Sequence, residues 1–137
     1  MCYLNILNMK YNTHFLALVF LVLVSCSLGD SGNDQQEELS FLNQQKFEIE
    51  QLAKSIPCNE LTICKSVAFG SKPCGGPRTY MAYNTEIDED LFLNKVASYN
   101  AKEANYNSKW NIASDCAVVT PPTVVTCVDG ECTAIFD

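Results

Sequence analysis

Eight cysteines are the residues of this 137-residue chain that offer the most chemistry. A cysteine thiol can carry a lipid, bind a metal ion, act as a nucleophile or pair with a second thiol. Two of the eight, Cys2 and Cys26, lie in or beside an apolar N-terminal stretch. The other six lie in the more polar remainder: Cys58, Cys64, Cys74, Cys116, Cys127 and Cys132. The two groups therefore need separate explanations.

Cys26 follows an unbroken run of ten apolar residues at positions 15–24. Ten residues is the length of a signal-peptide core and about half of what a transmembrane helix needs. Residues 23–26, Leu-Val-Ser-Cys, fit the lipobox of bacterial lipoproteins, in which small residues precede a cysteine that is acylated and becomes the new N-terminus. Residues 1–25 are therefore predicted to be a lipoprotein signal peptide, with Cys26 as the lipidated residue. The alternative is ordinary signal-peptidase cleavage near residues 27–29, with Cys26 discarded.

A lipidated Cys26 would place the protein in the bacterial cell envelope. Each buried methylene of an acyl chain contributes about 0.8 kcal/mol to membrane attachment, so several chains together anchor a small domain durably. Residues 26–38 are polar and contain glycine, which predicts a flexible tether between the lipid and the folded domain. Ser27 after the lipidated cysteine favours the outer membrane or a location facing the periplasm. The membrane is thus one predicted partner.

The six remaining cysteines predict three structural disulfides, because an even number in a small exported chain is typical of a crosslinked domain. Six cysteines allow 15 pairings, and spacing alone does not select one. Zinc ligands are usually two to four residues apart, a spacing that Cys127 and Cys132 approach but that Cys58, Cys64 and Cys74 lack, and an oxidising compartment also consumes thiolates. A thioredoxin-type pair would need Cys-x-x-Cys, which does not occur. We therefore predict no metal site and no cofactor.

The predicted mature domain contains no histidine, since His14 falls inside the signal peptide. Serine and cysteine nucleophiles usually depend on a histidine base, so a nucleophilic triad is excluded. The acidic run at 86–90 leads into a predicted helix and lacks the alternating ligands of a calcium loop. Carboxylate pairs of the glycosidase type would need a cleft, and the aromatic residues at strand and helix spacing belong more often to the core. The sequence predicts that the protein is not an enzyme.

Charge excludes a further class of partner. Outside residues 1–25 the chain carries eight Lys and Arg residues against sixteen Asp and Glu residues. An acidic surface of this kind repels phosphate backbones, so nucleic-acid binding is not expected.

The elements that must position the cysteines follow from apolar spacing and turn residues. One amphipathic helix is predicted over 39–56, ended by Pro57. A second is predicted over 88–110, with Asp88 and two further acidic residues in the first turn, where the helix dipole favours negative charge. Four strands are predicted, the first two antiparallel to each other: 61–69, 78–84, 123–128 and 131–136.

The dipeptide Asp129-Gly130 predicts a type I′ turn between the last two strands. In that register Cys127 faces Cys132 in a non-hydrogen-bonded pair, where Cα atoms lie closest. The two thiols could bridge to each other or reach other partners from one face. Residues 39–137 are thus predicted to be an α+β domain, with two helices packed on an antiparallel sheet of about four strands and disulfides as staples.

Residues 69–77, Phe-Gly-Ser-Lys-Pro-Cys-Gly-Gly-Pro, form the one loop whose composition predicts a defined backbone conformation. Glycines permit positive φ, prolines stiffen the chain and Cys74 would tether it. Lys72 and Arg78 place basic groups on an acidic domain and are the predicted binding residues. A preorganised loop loses little entropy on binding, which favours a contact role. The alternative is a structural corner in which Cys74 staples the hairpin to a helix.

In this loop the chain resembles a family of small, cysteine-rich, exported or lipidated bacterial proteins. The family carries a Phe-Gly-x-Lys-Pro-Cys-Gly-Gly-Pro loop followed by an aromatic strand, here Arg-Thr-Tyr-Met-Ala-Tyr at 78–83. The resemblance extends over residues 58–132. Its other shared features are Tyr99-Asn100, Asn105, Ser114-Asp115-Cys116, Pro121-Pro122 and the hairpin from Cys127 to Cys132. It implies a disulfide-bonded exported domain with these boundaries, and no particular activity.

Together these observations predict a lipid-anchored envelope domain with a binding or structural role, which contacts an envelope protein or other component through residues 70–78. One alternative is an inhibitor of an exported hydrolase or protease, with Lys72 or Arg78 as an exposed anchor. Another is a weak enzyme acting on envelope polymers through acidic residues: Glu86, Asp88, Asp90 and Asp115.

Overall fold

The computed structural model describes residues 31–137, and the predicted signal peptide and the predicted lipidation site, Cys26, lie outside them. The described part is an α+β fold with two helices and four strands. In chain order these are α1 (Ser31–Ala53), β1 (Cys64–Phe69), β2 (Thr79–Asn84), α2 (Glu89–Lys109), β3 (Val124–Val128) and β4 (Glu131–Ile135). Neither described helix combines the length and the hydropathy needed to span a membrane.

Helix α1 begins at Ser31, eight residues before the predicted start, so residues 31–38 are helical and not part of a flexible tether. Gln and Glu dominate this stretch, and both are good helix formers. A tertiary contact then fixes it, because Glu38 Oε2 accepts hydrogen bonds from Lys109 Nζ at 2.8 Å and Trp110 Nε1 at 2.9 Å. These two bonds hold the pKa of Glu38 below its ordinary value of 4.5.

Helix α2 follows the prediction closely. Asp88 is its N-cap and accepts a hydrogen bond from the Leu91 N–H at 3.0 Å, and Trp110 is its C-cap. Its apolar residues recur every three or four positions and face the core. The buried core draws on both helices, the first hairpin and the β2–α2 turn: Leu42, Ile49, Ala53, Phe69, Tyr83, Ile87, Phe92, Val96, Tyr99 and Tyr106.

The four predicted strands are present, but they form two separate two-stranded sheets. Strands β1 and β2 pair antiparallel, with Phe69 opposite Thr79. Strands β3 and β4 also pair antiparallel, with Cys127 opposite Cys132 as predicted. Asp129 and Gly130 have φ values of 50° and 85°, the positive pair that a type I′ turn requires.

Disulfides join the two hairpins where no hydrogen-bond ladder does. Cys58 pairs with Cys127, and Cys64 pairs with Cys132. The two facing cysteines of the second hairpin are therefore bonded to Cys58, which precedes β1, and to Cys64, which is the first residue of β1. The third bridge joins Cys74 to Cys116. In the chain-entropy model each such crosslink contributes about 4 kcal/mol. Three disulfides indicate an oxidising compartment outside the cytoplasm.

Phe92→Ala tests the core assignment. Phe92 has no solvent exposure, so its truncation leaves a cavity and should lower the free energy of unfolding by about 3–5 kcal/mol. Phe47→Ala is the matched control, because Phe47 is 57% exposed and its loss should change the free energy by less than about 0.5 kcal/mol. Urea unfolding of the oxidised protein measures both. Equal effects of the two substitutions would contradict the packing described.

Candidate functional site

The candidate site consists of two connected stretches without regular secondary structure. The first is residues 70–78, which we call the glycine-rich loop, between β1 and β2. The second is residues 111–122, which we call the exposed segment, between α2 and β3. The Cys74–Cys116 disulfide joins them directly.

One polar face of α2 holds the glycine-rich loop in place. Asn100, Glu103 and Asn107 are spaced three and four residues apart and therefore lie on the same side of the helix. The Gly70 N–H donates to Asn100 Oδ1 at 2.7 Å, and the Ser71 N–H donates to Glu103 Oε2 at 2.6 Å. Asn107 Nδ2 donates to the Ser71 carbonyl at 2.8 Å. The loop is thus fixed through its main chain, which leaves its outer side free.

Gly70 allows this close approach. Its φ is +77°, a conformation that residues with a Cβ rarely adopt. A Cβ at this position would lie 2.9 Å from Glu103 Oε2 and 3.0 Å from the Arg78 Cβ. Gly75 and Gly76 also have positive φ, but a Cβ on either would meet nothing within 4 Å. Only Gly70 is therefore required both for backbone angle and for space.

Arg78 closes the base of the loop. Its Nε donates to Glu103 Oε1 at 2.7 Å, and its side chain is 45% exposed while that of Glu103 is 11% exposed. Burial raises the pKa of the adjacent Tyr99 to about 12, and the negative charge of Glu103 acts in the same direction. Tyr99 therefore stays neutral, and the charged groups at the base of the loop are Arg78 and Glu103.

The Lys72 side chain is turned toward the exposed segment and away from solvent. Its side chain is only 12% exposed, because Nζ donates to the Ala117 carbonyl at 2.6 Å and lies 3.5 Å from Asp115 Oδ1. The exposed basic anchor expected at this position is absent, since the ammonium is used to hold the exposed segment. The pKa of Asp115 is lowered, first by the hydrogen bond from the Ala117 N–H and then by the charge of Lys72.

The exposed segment is anchored at both ends. At its start the Ile112 N–H donates to the Asn107 carbonyl at 3.0 Å, and just past its end the Thr123 N–H donates to the Ile135 carbonyl at 2.9 Å. Between these anchors every residue from 115 to 118 is exposed. Val118 is 89% exposed, and its apolar side chain therefore lies almost wholly in solvent.

The sequence analysis did not single out Val118, and of the three loop-holding residues of α2 it named only Asn100, as part of the family resemblance. The spacing of Asn100, Glu103 and Asn107 was a usable signal, since polar residues at three- and four-residue intervals share a helix face. No comparable signal marked Val118, because its exposure depends on where the Cys74–Cys116 bridge places the chain.

The structure separates Asp115 from the other acidic residues of the alternative enzyme hypothesis, which lie together at the N-terminal end of α2. Asp88 caps the N-terminus of α2, whereas Asp115 follows its C-terminus. A helix of 21 residues is about 30 Å long, so Asp115 cannot act on the same bond as Asp88.

The cysteine sulfurs have their own partners. Those of Cys58, Cys64 and Cys132 lie within 4.8 Å of one another, but each belongs to a disulfide. In this oxidised state none is a thiolate, the form in which cysteine binds a metal ion.

Comparison with protein-family models, curated proteins and solved structures finds no match to this chain. The resemblance carried by residues 69–77 remains a prediction. Function has to be inferred from the two connected stretches themselves.

Gly70→Ala and Gly76→Ala together test how the loop is fitted against α2. Both substitutions place alanine at positive φ, which should lower the free energy of unfolding by about 1–2 kcal/mol. Gly70→Ala should lose at least about 1 kcal/mol more, because its Cβ also crowds Glu103 and Arg78. Thermal or urea unfolding provides the comparison. The packing of the loop on α2 is refuted if the two variants are equally stable.

Proposed function

We propose that this protein is an exported, lipid-anchored domain of the bacterial cell envelope that binds another envelope protein through the glycine-rich loop and the exposed segment. The observation that carries the proposal is an exposed apolar side chain, Val118, on a segment that is crosslinked at Cys116 and hydrogen-bonded at Ala117. A surface that is both rigid and exposed is suited to protein recognition.

Rigidity supports binding because ordering a loop on association consumes part of the interaction free energy. Here several contacts within the chain already restrain the two stretches before any partner arrives. The Cys74–Cys116 bridge, the Lys72 hydrogen bond and the polar face of α2 hold the two stretches in one arrangement. The binding surface predicted at residues 70–78 thereby extends to residues 115–118, and its apolar centre is Val118.

The lipid anchor is supported by the lipobox at residues 23–26 and by the compartment that the disulfides require. Both features belong to a chain that crosses the cytoplasmic membrane before it matures. An acyl anchor would keep the domain at the membrane surface, where its partners would be other envelope proteins.

An inhibitor that presents Lys72 to a trypsin-like protease receives no support, because the Lys72 ammonium is already engaged. Arg78 is half-exposed, but its Nε is paired with Glu103 at the base of the loop and not at its tip. If the loops bind a protease, another residue must enter its specificity pocket.

Cys26→Ser should release the domain from the membrane fraction, because serine at this position cannot form the thioether that carries the diacylglycerol. Cys2→Ser is the matched control and should leave the protein with the membranes. Immunoblots of separated soluble and membrane fractions measure the distribution. Membrane retention of Cys26→Ser at the level of the unmodified protein would contradict lipidation at this residue.

Photo-crosslinking in intact cells tests the contact surface. A photoreactive residue in place of Val118 should give a discrete crosslinked species, whereas the same residue at Leu91 should not. Leu91 is 47% exposed and lies in the first turn of α2, far along the helix from the loops. Equal labelling from both positions, or none from Val118, would argue against this surface.

A further inference from the structure

We propose that the exposed segment inhibits an exported serine protease with a small apolar specificity pocket, and that Val118 enters that pocket. The inference rests on the proposed function and names its partner by chemistry. Three properties of the segment carry it: the accessibility of Val118, the fixed path of the chain on either side, and the placement of the three disulfides around one peptide bond.

Val118 is accessible in its main chain as well as its side chain. Serine proteases bind a substrate as an added strand, which requires free backbone groups next to the pocket. Within residues 31–137 no hydrogen bond uses the Val118 N–H or carbonyl. Leu61 is also highly exposed, at 93%, but its backbone is not free in the same way. The Leu61 N–H donates to Asn59 Oδ1 at 2.8 Å in a tight turn.

The chain is held on both sides of Val118. On the N-terminal side, Cys116 is crosslinked and the Ala117 carbonyl accepts the hydrogen bond from Lys72. On the C-terminal side, Pro121-Pro122 fixes two φ angles near −65°, and a proline also favours an extended conformation in the residue before it. A protease would therefore meet a segment that has little conformational entropy left to lose.

The pocket chemistry follows from the side chain. Trypsin-like pockets contain an acidic residue for Lys or Arg, whereas a small apolar pocket accepts residues such as valine. Valine is branched at Cβ and has few rotamers, so it loses little side-chain freedom on insertion.

The disulfides explain why such a segment would inhibit the protease and not simply be digested. The protease serine Oγ would add to the Val118 carbonyl carbon, the bond to the Val119 nitrogen would break, and the hydroxyl proton would pass through the protease histidine to the new amine. Residues 119–137 cannot leave, because Cys127 and Cys132 bind them to Cys58 and Cys64.

The acyl side is held in the same way. Residues up to 118 remain fixed through Cys116 to Cys74. The amine of Val119 stays beside the acyl carbon, so attack by this amine restores the peptide bond in competition with water. Held reactants of this kind react at very high effective concentrations, which favours religation.

The test uses the full exported chain, solubilised in detergent, with purified proteases of elastase type and trypsin type as probes. The unmodified protein should inhibit the elastase-type protease with a Ki below about 1 µM. Val118→Lys should weaken this inhibition by at least about 100-fold, since an apolar pocket cannot pair the ammonium, and should create inhibition of the trypsin-type protease. Leu61→Lys is the matched control, because it introduces lysine at a similarly exposed apolar residue. It should change neither the inhibition of the elastase-type protease nor that of the trypsin-type protease.

Prolonged incubation provides a second readout. Cleavage at Val118 should yield two fragments only after reduction, while the unreduced protein stays in one piece and still inhibits. Absence of elastase-type inhibition at about 10 µM overturns the inference, as does unchanged inhibition by Val118→Lys or rapid digestion that restores full protease activity. The proposed envelope-binding function is judged separately, since a crosslink from Val118 to a partner that is not a protease would uphold it while the inhibitory role failed.

Discussion

Two disulfides hold the second hairpin of this protein against the rest, and the remainder of the architecture depends on them. Strands β3 and β4 contribute no residue to the buried core, and Val124, Val128 and Ile135 are each more than two-fifths exposed. The hairpin thus buries little apolar surface, no backbone ladder joins it to β1 or β2, and its polar contacts to the preceding chain are the hydrogen bond from the Cys58 N–H to the Gly130 carbonyl and the Lys54–Glu131 ion pair. The bridges from Cys58 and Cys64 supply the covalent part of the attachment that a continuous sheet would otherwise provide.

The same constraint shapes the exposed segment. Its C-terminal end leads into the crosslinked hairpin, and its N-terminal end is fixed by the Cys74–Cys116 bridge beside the buried polar face of α2. An irregular stretch of this length would be flexible in most small domains, since it makes few internal contacts. Here the Cys74–Cys116 bridge and the Lys72 hydrogen bond restrain the segment at Cys116 and Ala117, next to its most exposed apolar residue. This combination is what makes a recognition role physically reasonable.

The sequence was most informative where a local rule determines the outcome. Apolar spacing located α2, and Asp129-Gly130 determined both the type I′ turn and the register that places Cys127 opposite Cys132. Tertiary effects account for what was missed. The first turns of α1 lead to a contact between Glu38 and Trp110, which lie 72 residues apart, and the Lys72 ammonium donates to a carbonyl 45 residues away. The pairing of the six cysteines also depends on tertiary structure, and it could not be predicted because all 15 pairings are compatible with the spacing.

Peptide mapping of the unreduced, natively exported protein by mass spectrometry tests the central claim most directly. The account predicts three crosslinked pairs, Cys58 with Cys127, Cys64 with Cys132 and Cys74 with Cys116, and no free thiol among these six residues. A direct Cys127–Cys132 bridge, or free thiols at Cys58 and Cys64, would show that the second hairpin is attached in some other way and would contradict the structure proposed for the binding surface.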